Sequence, residues 1–287
     1  MPRIAQPVAS TPTGQLVHAA GGGLRSLWES AFIAERRYFK VAIGSQLLAP
    51  ILYLLSLGVG LGSVVNAGNG AHELGVGYLS YIAPALIAAT ALQVAVTDAT
   101  YPILHGGFKH QRVYFAMNAT PLTSSQISQS VLAWIAAKAA VSATFYLVVV
   151  ACFGGIRSVG ALLCIPIAAL GAMALAAPIA AYSATVQDEG AGFATIFRFI
   201  VMPMFLFSGT FYPISTLPHW ARLLAWISPL WHASELSRWV ALGPLHLASG
   251  VGRVSPVAAL VHVLFLAVLT TAGVLVTGNR FRVRLER

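Results

Sequence analysis

Apolar positions in this chain follow neither the alternation of a strand nor the one-sided stripe of a surface helix. They come in runs of about 20 residues, the length that carries a helix across roughly 30 Å of hydrocarbon. The runs fall at 41–62, 78–100, 127–152, 159–186, 191–212 and 256–277. This pattern predicts an all-α integral membrane protein with six transmembrane helices. A polar, Gly-rich start at 1–23 is expected to be flexible, and 24–287 forms one membrane domain.

Three segments depart from plain spans. Residues 24–40 set Leu24, Leu27, Trp28, Ala31 and Phe32 on one helical stripe, with Arg25, Arg36 and Arg37 largely elsewhere, as in an amphipathic helix lying in the headgroup plane. The longest loop on that side, 101–124, has Pro102 and Gly106-Gly107 placed to break the second span. A short helix is then expected to expose Phe108, Tyr114 and Phe115 among Lys109, His110 and Arg112, a mixture suited to docking a partner protein. The third segment, 213–255, carries most of a tryptophan-rich stretch that includes Trp220, Trp226 and Trp231. Its helix-compatible pieces, "HWARLLAWI" and "LWHASELSRWVAL", are each too short to span, and Trp favours the interface. They predict a re-entrant hairpin dipping into the outer leaflet between spans five and six.

Composition agrees with membrane residence: 57% of residues are hydrophobic and only 9% charged, against roughly 25% charged in a soluble domain. The net charge of +9 does not point to nucleic acid, because the basic residues sort by loop side rather than by surface patch. Of the 17 Lys and Arg, four (Arg157, Arg222, Arg238 and Arg253) fall on one side, Lys138 lies within a span, and the other twelve fall on the opposite side with both termini. Positive charge is retained inside, so both termini are placed in the cytoplasm. The first apolar run begins too late for a cleavable signal. Cys152 and Cys164 flank a short loop, either as free thiols or as a disulfide.

Ionisable groups within spans are costly and invite a functional reading. Asp98 falls near the inner end of span two, where its carboxylate can reach water. Lys138 lies roughly 10–20 Å above the inner boundary of span three; it either pairs with Asp98, snorkels, or faces a polar cavity. His232 and Glu235, about one turn apart, do not by themselves make a zinc site.

The stretch "MFLFSGTFYPISTLPHWARLLAWISPLWHASELSR" resembles the fifth span and outer helices of type-2 ABC exporter permeases, in particular the group containing the nodulation-factor and daunorubicin export permeases. "LYLLSLGVGLG", "DATY", "QRVYFAMNATPL" and "AWIAAKA" extend the similarity over most of the chain from about Leu24. Phe115 and Val131 stand where the family often has acidic residues. The resemblance implies two permease subunits, identical or not, seated on two copies of a separate ATPase subunit in a bacterial inner membrane, with ATP and Mg bound by that partner. It also implies ATPase contacts at 24–40 and 105–117.

The residues agree on one point. A phosphate-binding loop needs Lys directly after Gly, and Lys40, Lys109 and Lys138 follow Phe39, Phe108 and Ala137. The chain therefore carries no such ATP site and no cofactor of its own. Export of an amphipathic drug, lipid or lipid-linked saccharide is the leading expectation. A membrane-embedded enzyme and a proton-coupled carrier using Asp98 and Lys138 are the alternatives.

Overall fold

The computed structural model describes residues 51–68, 74, 76–156, 158–242 and 254–286. The interfacial helix expected at 24–40, with Arg36 and Arg37, lies outside them, as do the start of the first span and part of the outer segment. The described residues contain helix and no strand. Among the described residues, four helices are long and apolar enough to cross a membrane: α2 (Tyr78–Lys109), α4 (Ser124–Cys152), α5 (Val159–Ser183) and α9 (Pro256–Leu285). Two shorter apolar helices, α1 (Ile51–Ala67) and α6 (Ala191–Phe207), stand at the first and fifth expected spans. A short α3 (Val113–Asn118) precedes α4, and α7 (His219–Ile227) and α8 (Pro229–Leu242) fill the described part of the outer segment.

The bundle is centred on α2, α4, α5 and α9, and α8 lies against α2, α5 and α9 near one end. We call that the tryptophan end; α2 finishes at the opposite, basic end. Small residues allow the close packing. A Cβ on Gly273 of α9 would meet Pro178 Cδ at 2.6 Å and Ala177 Cβ at 2.8 Å, and one on Gly171 would meet Ala233 of α8 at 2.5 Å. Thr277 donates to the Ala177 carbonyl at 2.8 Å across the α5–α9 contact. Without a hydrophobic force between helices in lipid, such contacts and interhelical hydrogen bonds hold a bundle together. Caps set the entries: Thr123 and Gln126 form a reciprocal capping box at α4, and Ser255 caps α9 ahead of Pro256.

The second span does not stop where its sequence suggests. After a hitch at Ala99–Thr100, α2 resumes through Pro102 and runs as a π-helix to Lys109. The Ser183 hydroxyl donates to the Ala99 carbonyl at 2.6 Å, covering a backbone acceptor at the hitch. Continuing the helix buries Ile103, Leu104 and Phe108. At the other end of the fifth helix, α6 terminates at Ser208 because Gly209 turns the chain with φ of 67°, which leaves α6 shorter than the expected 191–212.

Candidate functional site

Among the described residues, three polar arrangements and a cavity interrupt the apolar bundle. The first is the pair of intramembrane charges. Lys138 Nζ on α4 lies 2.8 Å from Asp98 Oδ2 on α2, with both side chains about four-fifths buried. Because α2 extends to Lys109, Asp98 sits roughly 15 Å from the helix end, deeper than a span ending near residue 100 implied. Each charge compensates the other, which removes most of the cost of carrying either one into the bundle.

The second lies at the basic end. Phe108 and Tyr114, expected to be exposed, are turned inward: they are 3% and 9% accessible, with their rings 4.9 and 5.3 Å from that of Phe281 on α9. Gly107 makes room for this, since a Cβ there would collide with the Tyr114 ring. The aromatic content of the loop thus fastens α2 and α3 to α9. Arg284 stacks over Phe108 at 4.3 Å and donates to the carbonyls of Ser183, Ala184 and Val186, tying α9 to the end of α5. Lys109, His110 and Arg112 remain outside. Lys109 Nζ meets Glu189 Oε1 at 2.5 Å, and Arg112, at φ of 51°, lies over the half-buried Phe115 ring at 4.8 Å. The hydrogen bond from Lys109 holds the Glu189 carboxyl below its usual pKa.

The third lies at the tryptophan end. Trp220 and Trp226 are more than half or about half exposed on α7, whereas Trp231 is half-buried. His232 and Glu235 do not converge on one point. Glu235 Oε1 accepts from Arg238 at 2.7 Å. His232 Nε2 is 2.9 Å from the Trp226 carbonyl, so it must carry hydrogen there, and its Nδ1 then accepts from His262 Nδ1 at 2.6 Å.

Sequence reading counted Arg238 only as a loop charge, yet it is completely buried. Its Nε donates to the Tyr81 carbonyl at 3.1 Å, and Nη2 donates to Gly209 at 2.6 Å and Thr210 at 3.1 Å. The guanidinium also lies 4.0 Å over the Tyr81 ring. One planar fork therefore joins α8, α2 and the turn that ends α6. The only local signal was Glu235 three residues earlier, which marks a helical ion pair but not its depth.

Beside this cluster, Leu57, Leu61 and Val65 of α1, Tyr78 of α2, and Phe211 to Pro213 after α6 line a largely apolar cavity of about 610 Å³. Tyr78 Oη donates to the Phe211 carbonyl at its wall. The two cysteines are separate: Cys152 is exposed, and Cys164 is buried with its thiol at the Ser237 carbonyl.

The sequence profile of the ABC-2 type transporter family matches residues 24–242. The chain belongs to that family. It is also 29% identical over 238 residues to nodulation protein J of Rhizobium leguminosarum bv. viciae, covering 82% of this chain and 86% of that one. Nodulation protein J of Rhizobium meliloti is 28% identical over 236 residues, covering 82% and 87%. That of Sinorhizobium fredii is 29% identical over 218 residues, covering 74% and 79%. An ABC-2 family member is the membrane subunit of a transporter rather than a catalyst. The ABC-2 match takes in α1 to α8 and stops at Leu242, so α9, which supplies Phe281, Arg284 and His262 to the clusters above, lies beyond it.

Proposed function

We propose that this chain is one half of the membrane path of an ATP-driven exporter, carrying an amphipathic lipid, lipid-linked saccharide or drug. A separate ATPase subunit, present twice, binds ATP and Mg and supplies the work, and a second permease completes the path. The continuity of α2 carries this reading. Its 32 residues extend about 45 Å, from Lys109 at the basic end to Tyr78 on the cavity wall. A push on the basic end would thus reach the cavity along one element, through the hitch at Ala99–Thr100, and Asp98–Lys138 would pass it sideways to α4.

Sidedness follows from charge. Lys109, Arg112, Arg280, Arg282 and Arg284 lie at one end, and Arg222 and Arg238 at the other. The basic end then faces the cytoplasm and the ATPase, and α7 and α8 form the outer re-entrant hairpin with Trp220 and Trp226 in the interface. With Phe108 and Tyr114 turned inward, docking falls to Lys109, His110 and Arg112, together with Arg36 and Arg37 outside the described residues. The apolar wall of the cavity suits a hydrocarbon chain, and Tyr212, Ser215 and Thr216 add hydroxyls for a polar head.

The test is to express the chain with the ATPase encoded beside it. The ATPase should copurify, and its hydrolysis in lipid vesicles should rise with the exported amphiphile. The double variant Lys109→Glu/Arg112→Glu should weaken copurification by at least about tenfold, because like charges brought together at an interface cost several kcal/mol. Unchanged assembly removes the docking assignment.

A further inference from the structure

We propose that His105, His110 and Glu189 form a binding site for a zinc-class divalent transition metal, which clips the basic end of α2 to the loop between α5 and α6. The site arises from helix geometry. In an α-helix, residues five apart point about 140° away from each other. In the π-helical stretch the His110 amide donates to the His105 carbonyl at 2.9 Å, so residues five apart lie one above the other. The two imidazoles accordingly stack, 12° from parallel with centroids 4.6 Å apart. π-turns of this kind occur frequently where a helix serves a function beyond packing.

Glu189 reaches the pair from a different element. Asp188 Oδ1 accepts from the Gly190 amide at 2.7 Å, and Gly190, at φ of 79°, starts α6. That turn presents Glu189 toward α2, where its carbonyl lies 3.4 Å from His105 Nε2. One nitrogen from each ring and one carboxylate oxygen fall within 4.8 Å of one another. Around zinc, bonds of about 2.0–2.1 Å place donors roughly 3.4 Å apart. Closing that difference takes side-chain rotations that bring the donors about 1.4 Å nearer and turn the stacked rings so that their lone pairs converge; His110 and Glu189 are exposed and His105 is partly so.

The donor set selects the ion. Two imidazoles and one carboxylate match zinc and its neighbours, whereas magnesium and calcium require oxygen cages. Three protein ligands leave a fourth position for water. Lys109 competes, because its ammonium occupies the same carboxylate at 2.5 Å; the metal must displace it. The inference rests on local geometry and not on the export reading, so either can fail alone.

The experiment uses the full chain without a polyhistidine tag, in lipid nanodiscs, stripped with chelator and titrated with Zn²⁺ against a chromophoric competitor. One equivalent should bind. His105→Ala and His110→Ala should each weaken binding by more than about tenfold, the scale on which even outer-shell partners of a metal act. Glu189→Gln should weaken it, and Lys109→Ala should strengthen it. Equal zinc binding by the wild type and the double histidine variant overturns the proposal, since the metal then sits elsewhere. A measurement on the unmodified chain adds a second check: Zn²⁺ should protect His105 and His110 from acylation by diethyl pyrocarbonate, and equal labelling with and without zinc also overturns it.

Discussion

Arg238 shows how much one side chain can hold. Its guanidinium satisfies three backbone carbonyls and the Glu235 carboxylate with no exposure to solvent. Arg238→Ala therefore leaves a partly buried carboxylate and freed carbonyls, and should destabilise the protein by about 3–5 kcal/mol. Arg238→Ala/Glu235→Gln should recover part of that loss. Thermal unfolding in nanodiscs measures both, and equal stability of Arg238→Ala and wild type refutes the assignment. The same logic governs Asp98 and Lys138. Asp98→Asn should cost about 1–3 kcal/mol by removing the carboxylate that faces the ammonium, whereas Asp98→Asn/Lys138→Met should be closer to wild type. Sequence spacing left the pairing open, because it gives depth along a helix but not the azimuth at which α2 faces α4. Arg238 was hidden for a related reason: apart from Glu235, the acceptors that hold it at depth are backbone carbonyls, which carry no residue signature.

The spans were legible as elements because each needs a long apolar run, and all four long helices start within about three residues of where hydropathy placed them. Their far ends were less legible. Pro102 and the two glycines signalled a break, but burial of Phe108 and the Ser183 hydroxyl at the Ala99 carbonyl kept α2 going in a wider helix. The aromatics of 101–124 read as exposed for the same reason: with α2 thought to end early, nothing remained to bury them, and their receiver, Phe281, lies more than 160 residues downstream. Close packing between helices is testable at Gly273. Gly273→Val should force α9 from Pro178, where the backbone nitrogen as well as the ring would be struck, with a cost of about 1–3 kcal/mol. A lowered unfolding temperature is the expected result, and an unchanged one means the contact is looser than drawn.

For the whole molecule, the decisive question is where the energy enters. An ABC-2 family subunit that lacks a glycine–lysine phosphate loop should, when reconstituted alone, neither hydrolyse ATP nor move cargo under a proton gradient. Adding the ATPase should start both. Transport by the lone chain would return the proton-coupled alternative through Asp98 and Lys138. The architecture also separates stiffness from freedom. The four long helices are joined by small-residue seams and an ion pair, and Arg238 ties α8 and the turn after α6 to α2, whereas among the described residues α1 rests mainly on α2 and α6 mainly on its own turns and α7.

That unequal attachment bears on the cavity, whose sides come from α1 and the segment after α6. Of these two sides, the segment after α6 is pinned by Arg238 at Gly209 and Thr210 and by Tyr78 at Phe211, so widening falls to α1 and leaves the seams among α2, α4, α5 and α9 closed. On the export reading, the girth of a passenger would then be set by how far α1 can draw back from that pinned edge.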